Sequence, residues 1–247
     1  MSALSDKIDV QFGFDTGAFL TSSVGGLTAT NTNGVAQVDE AAEFDADLVN
    51  YLEVPDDPAI SLTGPINYWS IVVELYAKVN NGHAFVSKDQ TAVDMREYLI
   101  WYSTGMDRFG MQLHLPDLAY VELTLNTFGS PVLDTPYFLE FRTDGTKLYG
   151  CVNRGAEDEV AVAFTDRDTA APLQFGALNG IGGYFHSGKI DNFLFAKDSF
   201  TTEERDFIAN GNLGSNWARL LAGPTAEGGI QHYARRRLHG GLPIGVL

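Results

Sequence analysis

A single cysteine, Cys151, stands in 247 residues, so no intramolecular disulfide can staple this chain. Stability has to come from apolar burial, helped by a bound metal if one is held. Long apolar runs are missing too. No segment reaches the ~20 apolar residues that a spanning helix needs, which excludes membrane insertion by a helix. The opening Met1-Ser2-Ala3-Leu4-Ser5-Asp6-Lys7 has neither the basic stretch nor the apolar run of a secretory signal. The expectation is synthesis in a cytoplasm, with any exit by assembly into a particle; a secreted, extracellular protein is the alternative. Basic residues are scarce, 16 against 32 acidic, and the formal charge is −16. An acidic body repels phosphate backbones, so a nucleic-acid partner is not expected.

What is present suits a turn-rich β protein: 26 glycines, 12% aromatic residues and only 19% charged ones. Short strand-like runs are separated by turn signals almost throughout. Ile8 to Phe14 alternates apolar and polar residues and stops at Asp15-Thr16-Gly17. A Gly/Ser/Thr/Asn-rich stretch follows from Thr21 to Gly34. Glu43 to Val54 carries strand-like pieces before Pro55-Asp56-Asp57-Pro58 forces a turn. Ser70 to Tyr76 is continuously apolar, as a buried strand would be. Further runs are His83–Ser87, Tyr98–Tyr102, Phe109–Leu115, Val121–Leu125 and Tyr137–Arg142. Asp144-Gly145 turns the chain into Lys147–Val152 as a hairpin. Val160–Phe164, Leu173–Phe175 and Lys189–Phe195 complete the set. Thr201-Thr202-Glu203-Glu204 reads as a capping box opening a helix that ends near Ala209, and a second short turn covers Trp217 to Leu221. The expected fold is all-β: a two-sheet antiparallel jelly-roll sandwich with one or two short C-terminal helices and an extended tail.

Residues 42–213 resemble the laminin-G-like, concanavalin-A-like jelly-roll family of lectins and glucanases. The likeness lies in Phe44-Asp45-Ala46-Asp47-Leu48-Val49-Asn50-Tyr51-Leu52-Glu53-Val54-Pro55, which is similar to the family's opening strand pair. It lies also in the hairpin from Phe141 to Tyr149, in Phe175-Gly176-Ala177-Leu178 with Gly182 to Gly188, and in the closing strand from Lys189 to Phe195 with its helix. Phe12-Gly13-Phe14-Asp15 fits the first strand. One departure, Tyr149-Gly150-Cys151-Val152-Asn153-Arg154-Gly155, suggests a β-bulge near Cys151.

Glycan-cleaving enzymes on this fold place carboxylates in a Glu-x-Asp-x-Glu run, which projects all three from one strand face. No such run exists here. Glu157-Asp158-Glu159, the densest acidic run, is read as a solvated turn. There is no Gly-x-Ser-x-Gly elbow, no phosphate-cradling loop and no zinc-type cluster, and His83, His114 and His186 stand alone. A non-catalytic protein is expected. The resemblance implies a calcium ion at the sheet edge, with Asp191 as closing-strand ligand and Asp15 and Asp45 as its partners, all hard oxygen donors. For a sugar, aromatic rings flanked by polar groups are the usual platform. The candidates are Tyr98, Trp101, Tyr102 and His186, with Tyr68, Trp69, Tyr120 and Tyr184 as further rings; core packing is the competing role for each.

The chain divides into a sandwich over residues 1–214 and a short helix and docking tail over residues 215–247. The tail carries four arginines against one glutamate, whereas the rest holds 12 basic against 31 acidic residues. Arg235, Arg236 and Arg237 would pair with carboxylates, while Leu242, Ile244, Val246 and Leu247 would bury against a neighbouring subunit. The function expected from these features is a structural or adhesive component of a virus-like particle, such as a bacteriophage head or tail. It would be oligomeric and able to bind surface glycans. A free carbohydrate-binding module is the first alternative and a glycoside hydrolase the second.

Overall fold

The computed structural model describes residues 4–15, 17–78, 82–90, 95–116, 119–178 and 184–210. The tail and the Trp217 turn lie outside these residues. The described chain forms fifteen strands: β1 (Val10–Phe12), β2 (Thr30–Thr32), β3 (Ala36–Val38), β4 (Ala41–Phe44), β5 (Tyr51–Val54), β6 (Ile66–Leu75), β7 (His83–Gln90), β8 (Met95–Ser103), β9 (Arg108–His114), β10 (Tyr120–Thr124), β11 (Pro136–Asp144), β12 (Lys147–Val152), β13 (Asp158–Ala161), β14 (Leu173–Phe175) and β15 (Gly188–Ala196). A helix, α1 (Thr202–Asn210), follows. One sheet runs β13-β12-β11-β6-β15-β4-β3, with β1 also paired to β15; the other runs β10-β9-β8-β7-β14-β5-β2. Neighbours in both are antiparallel. The expected two-sheet sandwich is the fold observed.

Rings from the two sheets interlock between them. Phe12 and Phe193 of the first sheet meet Phe175 of the second at 5.3 and 5.2 Å, edge to face. Trp69 meets Tyr98 at 5.6 Å, and Tyr98 in turn stacks on Phe195. Such offset and edge-on contacts match the positive rim of one ring to the negative face of another. Strand β6 shows why its sequence reads as continuously apolar. Trp69, Ile71, Val73 and Leu75 point into this core. Tyr68 and Val72 point outward, yet they are covered by a second cluster built from Leu4, Ile8, Phe138, Leu194, Ile208 and Phe200. Helix α1 supplies that cover. Its capping box forms as read: the Glu204 amide donates to Thr201 Oγ1 at 3.2 Å and Glu204 Oε2 accepts from the Thr201 amide at 2.8 Å. Arg205 pins the helix to the sheet by pairing with Glu140 and Glu157, and Arg154 bridges Glu140 and Asp206.

Three sequence readings change. Cys151 lies in regular pairing opposite Glu140, so no bulge forms there. The irregularity comes just afterwards, where Asn153 and Arg154 take left-handed backbone and turn the chain out of β12. Glu157-Asp158-Glu159 is no free turn either: it leads into edge strand β13. Glu157 pairs with Arg142, Asp158 accepts from Thr127 and Glu159 pairs with Lys147. The polar stretch from Thr21 to Gly34 contributes β2, whose short polar edge strand carries no hydrophobic signal.

Because Phe175 meets the rings of Phe12, Phe14 and Phe193 across the sandwich, Phe175→Ala should lower the unfolding free energy by about 3–5 kcal/mol. Val132→Ala, at a side chain 65% exposed, should change it by no more than about 0.5 kcal/mol. Urea denaturation of both variants checks the pair; equal effects would mean that the ring core is not what holds the sheets.

Candidate functional site

Strand β1 ends at Phe12, and the chain turns away through Gly13 and Phe14, the latter in left-handed backbone (φ 53). Gln37 fixes this turn by donating to the Phe14 carbonyl at 2.8 Å. Asp15 is thereby set beside strand β15. There the pairing with β6 shifts register between Asp191 and Leu194, and Asn192 also takes positive φ. A bulge of this kind re-aims side chains, and here it turns Asp191 and Asn192 toward Asp15. Gly13 stands close to these groups: a Cβ there would lie 2.7 Å from Asp15 Oδ2 and 3.8 Å from Asn192 Oδ1.

The chemistry of this pocket is unbalanced. Asp15 Oδ1, Asp191 Oδ1 and both polar atoms of the Asn192 amide are buried without a hydrogen-bond partner. The amide lies against Asp191 without meeting hydrogen-bond geometry. Burial, and then the negative charge of Asp15, push the Asp191 carboxyl well above the usual range. Burial, and then Glu40, raise Asp15. Glu40 reaches this neighbourhood from the β3–β4 hairpin, whose two loop residues, Asp39 and Glu40, are both left-handed. Two-residue hairpins favour that backbone with Asn-Gly or Asp-Gly; a glutamate there is strained. Two carboxylates, an amide oxygen and a third carboxylate nearby are the hard oxygen donors that calcium takes.

Of the three expected ligands, the structure therefore brings Asp15 and Asp191 together. Asp45 is not among them. It is exposed at the far end of β4, where its side chain accepts from the Asp47 amide at 2.9 Å and caps a short 3₁₀ turn. Sequence reading missed Asn192 and Glu40, because a bulge and a hairpin tip place them and neither leaves a spacing signal. Glu140, Cys151 and Glu157 also converge within ligating distance. Their carboxylates are already matched by Arg142, Arg154 and Arg205, so that cluster is an ion-pair network.

The ring candidates separate by strand face. Tyr98 and Tyr102 point inward and are 0% and 1% exposed; their hydroxyls bond to the Ile60 carbonyl and to Asp107. His186 is fully buried against His83. These three are core residues, unable to offer a surface to a sugar: strand alternation turns Tyr98 and Tyr102 between the sheets, and His186, just ahead of β15, packs on Phe44, Phe85 and His83. Tyr68 and Trp69 are buried likewise. Trp101 does face away from the core, over Gly110, with Ala84, Leu99 and Leu178 around it. That packing leaves the ring 7% exposed, with its Nε1–H buried and unpaired. Across the same outer face the registers align Glu122, Gln112, Leu99, Ser87, Gln174 and Glu53. Gln112 donates to Glu122 and Gln174 to Glu53, each at 2.7 Å. Tyr120, 56% exposed beside His114, stands at the margin of this face.

Two buried carboxylates lie near the end of this face. Glu97 accepts from Lys88, from the Thr169 amide and hydroxyl, and from the Leu62 amide. Asp89, raised by burial to about 6, is 1% exposed with Arg96 and His114 beside it. Both are sealed from substrate, and Glu97 has no oxygen left for one.

No protein-family model matches the sequence, and no curated protein sequence does so either. Solved structures do match. The receptor-binding domain of botulinum neurotoxin D superposes with a TM-score of 0.65 at 9% identity, over 85% of this chain and 54% of that one. The chain thus spans about half of that domain. Domain 4 of AbnA, an extracellular arabinanase of Geobacillus stearothermophilus solved with arabinotriose, gives 0.60 at 16% identity, covering 82% of this chain and 98% of that one. The shared fold is a two-sheet antiparallel β-sandwich. A further botulinum neurotoxin D ligand-binding domain, solved with N-acetylneuraminic acid, gives 0.61 at 11% identity over 85% of this chain and 53% of that one. At these identities the likeness establishes the shared architecture.

The raised carboxyls give the pocket a pH signature. A carboxyl whose folded pKa lies above its unfolded value of roughly 4 contributes full stability below that pH, and the contribution is lost as pH rises through the folded pKa. Without a divalent cation, thermal stability should therefore decline as pH rises from about 4 toward neutrality, and Asp191→Asn should flatten the decline. Melting curves in chelator across that range test this; an unchanged profile in the variant would show that Asp191 is not the group responsible.

Proposed function

We propose that this chain is a non-catalytic, glycan-binding sandwich of the laminin-G-like kind, with calcium held by Asp15, Asp191 and Asn192 and drawn by Glu40. The observation that carries the glycan reading is the outer face of the β10–β2 sheet. There two amide–carboxylate pairs, Gln112–Glu122 and Gln174–Glu53, lie along one row, with the exposed ring of Tyr120 at its margin. Saccharides are bound by such sets, in which amides and carboxylates meet hydroxyls while rings cover apolar C–H faces. Trp101, its ring and its N–H both covered, packs beneath this face, and the exposed rings of Tyr120 and Tyr184 are the stacking surfaces. The folds solved with arabinotriose and with N-acetylneuraminic acid support the class of ligand. The sealed state of Asp89 and Glu97 supports binding without cleavage.

Screening the protein on a glycan array should find ligands whose binding drops at least tenfold in Glu122→Ala, which removes the carboxylate of the pair nearest Tyr120, and in Tyr120→Ala. No reducing sugar should be released from any ligand found. Binding that is indifferent to both substitutions, or release of sugar, overturns the reading. Calcium at a hundred times its Kd should stabilise the protein by about 2.7 kcal/mol and should not stabilise Asp191→Asn; a melting temperature unmoved by calcium removes the metal.

We also place the module on a larger assembly, most simply a phage particle, through the Arg235–Arg237 cluster and the apolar end at Leu242, Ile244 and Leu247. The composition of that segment supports this. Deleting residues 223–247 should leave the melting temperature of the sandwich unchanged while abolishing incorporation; particles that take up the truncated chain normally would exclude the docking role.

A further inference from the structure

Lys88, on β7, is fully buried between its neighbours β8 and β14. Its Nζ meets three oxygens: Glu97 Oε1 at 2.6 Å, Asp56 Oδ1 at 2.8 Å and the Thr169 carbonyl at 2.8 Å. Two carboxylates thus converge on one buried nitrogen, and taking such charges out of water is costly. The three partners are held from separate parts of the chain. Asp56 follows β5, with its side chain 34% exposed. The next residue, Asp57, accepts from the Ala59 amide at 2.8 Å and caps the 3₁₀ turn Pro58–Ile60, which fixes this segment. Glu97, on β8, is sealed from solvent. Its Oε1 also accepts from the Thr169 amide and hydroxyl, and its Oε2 from the Leu62 amide.

An amine and a carboxyl held in contact away from water are the two halves of an amide. We propose that Lys88 and Asp56 condense to an intramolecular isopeptide bond, with Glu97 relaying the proton. The ammonium passes one proton to the Asp56 carboxylate, which leaves a neutral amine beside a neutral acid. The amine lone pair attacks the carboxyl carbon and the Nζ–Cγ bond forms. A second proton goes from nitrogen to Glu97 Oε1, and Glu97 delivers it to the hydroxyl oxygen of Asp56. The Cγ–O bond breaks and water departs by the exposed side of Asp56. The third hydrogen stays on nitrogen as the amide N–H, facing the Thr169 carbonyl. One cation and one anion become a neutral group, and Glu97 ends as it began. Burial raises the Glu97 carboxyl, against the lowering by Lys88 and the two backbone donors, which suits a group that takes up a proton and returns it. Groups fixed in contact react at effective concentrations of about 10⁵–10⁸ M, and this offsets the preference of free amines and acids for their ions.

The bond spans β14. Leu173 of that strand pairs with Val54 of β5 on one side and with Lys88 of β7 on the other, so the link ties β5 to β7 across it. A loop closed from residue 56 to residue 88 removes conformations from the unfolded chain, as a disulfide does. In a chain whose one cysteine is buried and free, it is a cross-link that no reductant opens.

Mass spectrometry of the purified full chain reads the bond directly. The intact mass should lie one water below that of the unlinked chain, and digestion should release a branched peptide joining residues 56 and 88. Lys88→Arg keeps a cation but has no nucleophilic amine; it and Asp56→Ala should each show the full unlinked mass. Glu97→Gln should leave most of the chain unlinked, although both partners remain. Folded protein of unlinked mass overturns the bond, and so does a lost water with no branched peptide at this pair. Complete linkage in Glu97→Gln overturns the relay. If the variants do not fold, the mass and the peptide map of the unaltered protein still decide.

Discussion

Rings meeting across the gap between two sheets are the contact on which the rest of this protein depends. With no disulfide to hold them, β1, β6 and β15 on one side and β14 and β8 on the other are joined through Phe12, Trp69, Phe193 and Phe195 against Phe175 and Tyr98. Each buried ring contributes on the order of 1.5–3 kcal/mol of transfer free energy, and edge-on geometry adds directional preference. That preference matters because flat apolar faces alone would let the sheets slide. Interlocked rings fix the relative position of β15 and β1, and so of Asp191 and Asp15.

The two outer faces then meet different fates. That of the β6–β11 sheet is closed by helix α1 and the N-terminal turn, with Glu140 buried and matched by two arginines. A buried carboxylate of this kind specifies where the helix sits more than it stabilises the fold. The outer face of the β8–β9 sheet has no helix over it among the described residues, and it keeps amide–carboxylate pairs where the other has an apolar cover. The asymmetry gives one outer face an apolar cover and the other a row of polar side chains.

Strain and unpaired polarity coincide in the Asp15–Asp191 pocket. It combines left-handed Phe14 and Asn192, a hairpin tip of two left-handed acidic residues and several unpaired buried atoms. Backbone and polar groups of this kind are costly, whereas the buried pair of Lys88 and Glu97 is fully matched.

Strand identity, the Asp144-Gly145 hairpin and the Thr201 capping box were legible along the chain because each is a local matter, set by alternation, turn chemistry and a four-residue spacing. Asp191 and Asp15 could be named from likeness to a family. Their meeting, and the presence of Asn192 and Glu40 near them while Asp45 stands apart, came from a bulge and a strained turn that no spacing encodes. Ring exposure was equally beyond local reading. Alternation told that Trp101 opposes Tyr98 and Tyr102, but which face was covered, and by what, depended on Leu178 from another part of the chain. The sequence by itself determined which elements form, since these rest on neighbours a few residues apart. Only the tertiary structure decided which polar groups stay unpaired, because that is a property of the partners that distant strands bring or fail to bring.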